Sequence, residues 1–363
     1  MHQITIDLRM LHNSGIGTYI RNLVPLVIRL FPDTSYNLIG NITEMKQYDW
    51  AQNKNITLID CKSKIYSVSE QYELVRKIPK DTTLFWSPHY NIPILYRGKL
   101  LVTVHDVFHL AMPQFTGGYH KRLYAKGMFH FLRSKAKSII CISEFTQSEL
   151  IRLTGKKKHQ PIHVISNGVN NKWLNVEKKH SPHNKPYLLY VGNVKPNKNL
   201  KNLIKAFDMI KGQIPHDLLI VGKKEGFITG DAAVFESTDD HLDRLHFTGH
   251  VSEELLEQYF ANADMLVFPS LYEGFGLPPL EAMACGCPVL VSSAASLPEV
   301  CGEAALYCDP YQPEDIAAQI KRLVSDSVLQ DQLRAKGLEK AKQFTWDRCA
   351  METAKVIREV LEA

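Results

Sequence analysis

Tyr187-Leu188-Leu189-Tyr190-Val191 is a continuous apolar run, followed by Gly192-Asn193-Val194-Lys195-Pro196-Asn197-Lys198-Asn199 and then a helical pattern, Leu200–Lys211. A strand buried on both faces, a polar Gly/Pro/Asn turn and an amphipathic helix make the repeating unit of a parallel α/β sheet. Further strands are expected at Leu218–Val221, His246–Thr248, Met265–Phe268, Val289–Ser292 and Ala305–Tyr307. Helices are expected at Glu253–Ala261 and Pro313–Val324. The same alternation also runs earlier in the chain. Strands are read at Ile4–Leu8, Tyr36–Ile39, Ile56–Ile59, Leu84–Ser87, Leu100–Val104, Ser138–Ile142 and His163–Ile165, with helices at Ile16–Leu30 and Tyr119–Lys135. Between the two series, Lys172–Pro186 is rich in Lys, His and Pro and reads as a linker. The pattern predicts an α/β chain of two Rossmann-like, doubly wound domains, residues 1–170 and 187–344, joined through 171–186. A closing helix is expected over Trp346–Leu361, with Thr345 as its N-cap and Cys349, Met351, Ala354, Val356, Ile357 and Val360 at helical spacing.

Composition agrees with two cores. The chain has 363 residues, 45% of them hydrophobic and 22% charged, more than one ordinary core accommodates. The seven cysteines are scattered and form no CxxC pair, so a zinc site of local pattern is not expected, and free thiols in a reducing, cytoplasmic compartment are. Met1–Arg9 carries charges and no long apolar stretch, so a secretory signal is not expected. No apolar run approaches the ~18–20 residues of a spanning helix. Residues 1–170 hold 22 Lys and Arg against 11 Asp and Glu, whereas the remainder holds 21 against 27. A basic first half suits an anionic partner: a phosphate-bearing acceptor, an anionic membrane surface or a nucleic acid. The segment Tyr119–Lys137, which mixes Lys121, Arg122, Lys126, Arg133, Lys135 and Lys137 with Leu123, Phe129, Phe131 and Leu132, is the candidate for peripheral membrane contact; a core helix with a basic outer face is the alternative.

Four stretches carry chemistry-bearing residues at strand-to-helix turns. Ser14-Gly15-Ile16-Gly17 opens a helix, where glycines admit close backbone approach and free amides favour negative charge. His105-Asp106 follows a strand, at the end where open α/β sheets bind ligands; a loop-capping pair is the structural alternative. Gly192 to Asn199 offers helix-start amides with Lys195 and Lys198, a set suited to a diphosphate. Glu273-Gly274-Phe275-Gly276-Leu277-Pro278-Pro279-Leu280-Glu281 sets two carboxylates eight residues apart around a Gly-rich turn and a Pro-started helix. Carboxylates accept hydrogen bonds from vicinal hydroxyls, so one Glu suits a sugar and the other a ribose.

These residues resemble the retaining glycosyltransferases of the GT-B fold, family 4. The likeness rests on Glu273-x7-Glu281, Gly15-Ile16-Gly17, His105-Asp106, Ile142-Ser143-Glu144-Phe145, Ile165-Ser166-Asn167-Gly168-Val169, Gly192–Asn199 and Phe344-Thr345-Trp346. Within the family the chain most resembles bacterial mannosyltransferases of surface polysaccharide synthesis. The resemblance implies two domains facing across a cleft and a C-terminal helix, residues 345–363, crossing back to the first domain. It implies donor diphosphate on Lys198, the transferred sugar on Glu273 with the amides of Gly274, Phe275, Gly276 and Leu277, and ribose on Glu281. The nucleobase falls near Val251, His105 beside the reacting sugar, and Gly15 and Gly17 at the phosphates and acceptor. Many members carry Gly-Arg where this chain has Gly192-Asn193, and Lys195 stands in as the replacement charge.

The expected activity is transfer of a hexose, mannose from GDP-mannose, to a hydroxyl of a glycan or lipid-linked acceptor, with retention. The expected partners are thus a nucleotide-sugar donor and that acceptor, with no nucleic acid. No DxD triplet is present, so no cofactor and no metal are expected. Alternatives are a UDP- or dTDP-sugar donor, a nucleotide-sugar epimerase of the same architecture, and a non-catalytic nucleotide-sugar-binding subunit. A dinucleotide oxidoreductase lacks its full GxGxxG here. A nucleic-acid binder leaves the second-half motifs without a role.

Overall fold

The computed structural model describes residues 2–116, 118–222 and 242–363. The chain divides into two compact units, Met1–Gly168 with Trp346–Ala363, and Val169–Thr345.

The first unit is built on seven parallel strands: β1 (Gln3–Asp7), β2 (Ser35–Gly40), β3 (Ile56–Asp60), β4 (Leu84–Ser87), β5 (Leu100–Val104), β6 (Ser138–Cys141) and β7 (Ile162–Val164), in the spatial order β3-β2-β1-β4-β5-β6-β7. Among the described residues the second has six: β8 (Tyr187–Val191), β9 (Asp217–Val221), β10 (Leu245–Gly249), β11 (Met265–Phe268), β12 (Val289–Ser292) and β13 (Leu306–Cys308), ordered β10-β9-β8-β11-β12-β13. Every strand pairing among the described residues is parallel. Strand order therefore reverses between β1 and β4 in one unit and between β8 and β11 in the other, the doubly wound arrangement. β4, β5, β6, β8, β9, β11 and β12 are buried along their whole length, which is why they read as unbroken apolar runs. In the second unit the core gathers Leu188, Tyr190, Leu203, Phe207, Leu218, Ile220, Met265 and Ile320 between sheet and helices.

The C-terminal helix runs Trp346–Glu362 and belongs to the first unit. Trp346 lies edge-on to Tyr19 at 6.1 Å, Tyr19 is buried in the helix Ser14–Leu30, and Lys99 Nζ donates to the Leu361 carbonyl at 2.7 Å. Met351, expected on its buried stripe, is 54% exposed, and Thr353 is buried instead. Periodicity located the stripe and misplaced its edge.

The segment read as a linker is part of the second unit. Trp173 is buried edge-on to Phe260 at 5.6 Å, and Lys172 Nζ pairs with Glu253 at 2.8 Å and Glu257 at 3.2 Å. Gln258 ties down the backbone of Glu177 and Lys179. One buried indole and these bonds outweigh the polar composition, so the division falls at Gly168–Val169.

The helix Tyr119–Lys135 exposes Tyr119, Leu123 and Phe131 beside Lys121, Arg122 and Lys126. Phe129, Leu132 and Arg133, read as part of the same mixed face, are buried. The Arg133 guanidinium donates to Gln160 Oε1 at 2.7 Å and to the Gly155 carbonyl at 2.8 Å, a structural role. The seven cysteines are unpaired. Among the described residues no helix is long and apolar enough to cross a membrane.

Candidate active site

In the second unit, the loops after β8 and β11 diverge at the point where strand order reverses, the usual ligand crevice of such sheets. Lys198 comes from the first loop and Glu273 from the second, and Lys198 Nζ lies 2.6 Å from Glu273 Oε1 with both side chains largely covered. Two asparagines bring them together. Asn197 Nδ2 donates to the Tyr272 carbonyl at 3.2 Å, and the Asn197 carbonyl accepts from Leu271 N at 2.8 Å. Asn199, left-handed at φ 59°, donates through Nδ2 to the carbonyls of Pro269 at 2.9 Å and Pro310 at 2.6 Å. Asn is among the few residues that tolerate this backbone region, and its amide satisfies carbonyls that would otherwise be buried alone.

The turn after Glu273 is held from below. Ser296 Oγ lies 2.9 Å from the carbonyls of both Glu273 and Phe275. Phe275 is buried against Phe344, so its contribution to a ligand is backbone. Gly276 sits at φ +110°, and a Cβ there would stand 2.7 Å from Leu297 Cδ2. Leu277 starts the helix Leu277–Ala284, whose next two residues are prolines without an N–H, so any backbone donors this helix start presents come from Leu277 and the turn before it.

Glu281 lies one turn into that helix, and its charged neighbours are Glu253 and Lys172. Burial pushes its carboxyl up to about 7; Glu253 adds to the rise and Lys172 opposes it. Val251 is half-buried in the connection between β10 and the helix Glu253–Asn262. Asn193 is half-buried and Lys195 exposed, and the Lys195 carbonyl accepts from Lys198 N at 2.9 Å. The structure thus brings Lys198 and Glu273 into contact and sets Glu281, Val251 and Lys195 on neighbouring elements. Among the described residues no three-ligand cluster of His, Cys, Asp and Glu includes Glu273 or Glu281.

Gly192, Gly222 and Gly249 directly follow or end the adjacent strands β8, β9 and β10, and a Cβ on Gly222 would stand 2.0 Å from the Gly192 carbonyl oxygen. The recurrence of a glycine at three strand ends was the available signal.

In the first unit, the helix opened by the Gly15 and Gly17 segment begins at Ser14. A Cβ at Gly15 meets nothing within 4 Å, whereas one at Gly17 would stand 2.6 Å from the Leu11 carbonyl oxygen. Packing explains Gly17, and open space surrounds Gly15. His105 follows β5 and contacts Tyr19 edge-on at 4.8 Å, with Nε2 2.9 Å from the Pro88 carbonyl oxygen. Burial lowers its imidazole to about 4, although the Pro88 bond and Asp106 oppose the fall. His105 is therefore neutral at pH 7. Since a carbonyl only accepts, Nε2 carries the proton and Nδ1 is the acceptor. Asp106 Oδ1 accepts from Phe108 N at 2.9 Å, so Asp106 caps its loop.

A buried ionic cluster unforeseen in the sequence sits at the reversal point of the first sheet. Arg9 bridges Asp7 at 2.7 Å and Glu70 at 2.8 Å, and His89 Nε2 lies 3.1 Å from Asp7. Burial alone would raise the Asp7 carboxyl, but Arg9 and His89 hold it well below the usual range. The partners lie 61 and 82 residues apart, with no local pattern to betray them.

Residues 171–343 match the family model of glycosyl transferases group 1, and residues 73–173 that of glycosyltransferase family 4. O-antigen chain mannosyltransferase B of Escherichia coli is 31% identical over 281 residues, covering 74% of this chain and 72% of that protein. Serotype-specific mannosyltransferase WbdA of Escherichia coli is 27% identical over 282 residues, 72% of this chain, but the match spans only 33% of WbdA. Among solved structures, Anabaena HepE in complex with UDP and glucose superposes with a TM-score of 0.77 at 16% identity, covering 99% of this chain and 100% of that one. That likeness shows the fold, the pair of Rossmann-like units of GT-B glycosyltransferases. By model and by relative alike, the chain belongs to the glycosyl transferases group 1, glycosyltransferase family 4.

Proposed function

We propose that this glycosyltransferase is an α-mannosyltransferase that moves mannose from GDP-mannose, with retention, onto a hydroxyl of a glycan or lipid-linked glycan in surface polysaccharide assembly. The observation that carries the reading is the Lys198–Glu273 pair, 2.6 Å apart at the reversal point of the second sheet. The names of the relatives, O-antigen chain mannosyltransferase B and WbdA, support mannose.

Departure of the sugar loads negative charge onto the diphosphate and leaves an oxocarbenium-like centre. Lys198 and the Gly274–Leu277 turn amides answer the first charge, with Asn193 and Lys195 beside them. The Glu273 carboxylate accepts hydrogen bonds from the sugar hydroxyls and favours the developing positive carbon. Glu281 takes the ribose and Val251 borders the base. Taken by itself, the first unit offers features suited to an acceptor: neutral His105 with Nδ1 as a hydrogen-bond acceptor, and open space at Gly15, with Gly17 packed on the Leu11 carbonyl beside it. A double displacement needs a carboxylate nucleophile. Asp106 is committed to Phe108 N, which supports front-face departure with the donor phosphate taking the acceptor proton. The reaction is read as metal-independent, since the sequence holds no DxD triplet.

The test supplies purified protein with radiolabelled GDP-mannose, UDP-glucose or dTDP-rhamnose and lipid-linked glycan, with and without EDTA. The expected result is acceptor-dependent transfer from GDP-mannose alone, α-configured by NMR and insensitive to EDTA. Transfer from another donor only would overturn the GDP-mannose reading; conversion of donor without acceptor would point to an epimerase.

A further inference from the structure

At the end of the second sheet remote from Lys198, three ligating side chains converge. Asp217 opens β9, His246 is the second residue of β10, and His183 lies in the segment before β8. His183 Nε2 is 2.8 Å and His246 Nε2 3.2 Å from the same oxygen, Asp217 Oδ2. One ligand atom from each residue lies within 4.8 Å of the other two. The Asp217 side chain is 2% exposed, while those of His183 and His246 are 21% and 39% exposed, so the carboxylate is fixed and the imidazoles are reachable. Its second oxygen, Oδ1, is engaged separately by Arg244 Nε at 3.2 Å and, more loosely, Lys185 Nζ at 3.7 Å. Arg244 is anchored independently by the carbonyls of Ile214, Lys211 and His216.

We propose that His183, Asp217 and His246 bind a divalent cation of the zinc class, with solvent completing the coordination. Two imidazoles and a carboxylate are ligands zinc accepts, and tetrahedral bonds of ~2.0–2.2 Å set ligand atoms roughly 3.3–3.5 Å apart. The two spacings to Asp217 Oδ2 are 2.8 and 3.2 Å and the third edge is at most 4.8 Å, so small side-chain shifts bring the triangle to that geometry. With metal bound at each Nε2, the one proton of each imidazole sits on Nδ1, so both rings stay neutral and the Nε2 contacts to the carboxylate give way to metal bonds. Arg244 and Lys185 oppose a further cation. Arg244 shares its charge with three carbonyls and Lys185 is 59% exposed, where solvent screens it. All three ligands lie at the amino ends of the strands, away from Lys198 and Glu273 at the carboxyl ends. The site therefore serves to clamp the segment before β8 to the sheet edge, and stands or falls independently of the transfer reaction.

The experiment titrates zinc into untagged, chelator-treated full-length protein against a chromophoric chelator, and records the visible spectrum with Co²⁺. The expected result is one equivalent bound at micromolar metal, with the d–d bands of a low-coordinate nitrogen/oxygen site and a melting temperature that rises with zinc. His183→Ala and His246→Ala each weaken that equivalent at least about tenfold. His216→Ala, whose imidazole pairs with Asp264 at 2.8 Å, leaves it unchanged. Metal-free melting temperatures close to wild type establish that the variants fold. Equal zinc binding by wild type and the His183→Ala/His246→Ala double variant, or none by wild type at micromolar metal, would overturn the site.

Discussion

Glu281 illustrates what a single burial does. Its carboxyl rises from 4.5 to about 7, with burial the leading cause. Between those values the folded chain holds a proton that the unfolded chain has lost, so stability declines as pH rises from 4.5 to 7 and levels off above. Glu281→Gln is expected to remove that slope, leaving the variant more stable than wild type at pH 8 in urea titrations at pH 5 and 8. If Glu281 holds ribose hydroxyls, the same variant binds donor more weakly, a gain in stability set against a loss of function. A wild-type slope that survives the substitution assigns the titration elsewhere. Lys198 makes the opposite case, a cation already partnered in the free protein. Lys198→Ala is expected to lower kcat/KM by about 10²–10³ and to leave Glu273 without its counter-ion. Steady-state kinetics at saturating acceptor measure the effect, and a change under threefold would remove Lys198 from the chemistry.

At the scale of elements, the loops after β8 and β11 are joined by the side-chain amides of Asn197 and Asn199 together with the backbone bond from Leu271 N to the Asn197 carbonyl. Asn199→Ala loses both carbonyl contacts and forces a left-handed backbone on alanine, at a cost of about 2–4 kcal/mol. Asn199→Gly keeps the conformation and loses only the contacts, so it is expected to cost less, by about 1 kcal/mol. Urea unfolding of both variants checks the order; equal costs would mean that the backbone conformation contributes nothing. This also marks the limit of what was legible beforehand. The strands were readable because burial on both faces leaves an unbroken apolar run. Lys198, Glu273 and Glu281 stood out because Gly, Pro and Asn around them mark turns. The 2.6 Å contact between Lys198 and Glu273, the Asn197 and Asn199 ties, the Arg9 cluster and the His183–Asp217–His246 triangle join residues dozens of positions apart, and no local periodicity encodes such pairings. The segment 171–186 was misread for the same reason, since the burial of Trp173 depends on Phe260.

At the scale of the whole molecule, charge is divided as the units are. The basic surplus lies in residues 1–170 and the acidic in the remainder, and the helix Tyr119–Lys135 exposes Tyr119 and Leu123 among Lys121, Arg122 and Lys126. The chain is expected to float with phosphatidylglycerol liposomes at low salt and to release near 0.5 M NaCl, where screening shortens to a few ångströms. Tyr119→Ser/Leu123→Ser should weaken flotation severalfold with transfer to a soluble acceptor unchanged; no flotation at low salt would end the membrane reading. The donor site tests the central claim most directly, through calorimetric binding of GDP and GDP-mannose to wild type, Lys198→Ala and Glu273→Gln. Lys198→Ala is expected to weaken both ligands at least about tenfold, a loss of 1.4 kcal/mol. Glu273→Gln should weaken GDP-mannose while sparing GDP, because only the sugar meets the carboxylate. Undiminished GDP-mannose affinity in both variants would contradict a donor held between Lys198 and Glu273.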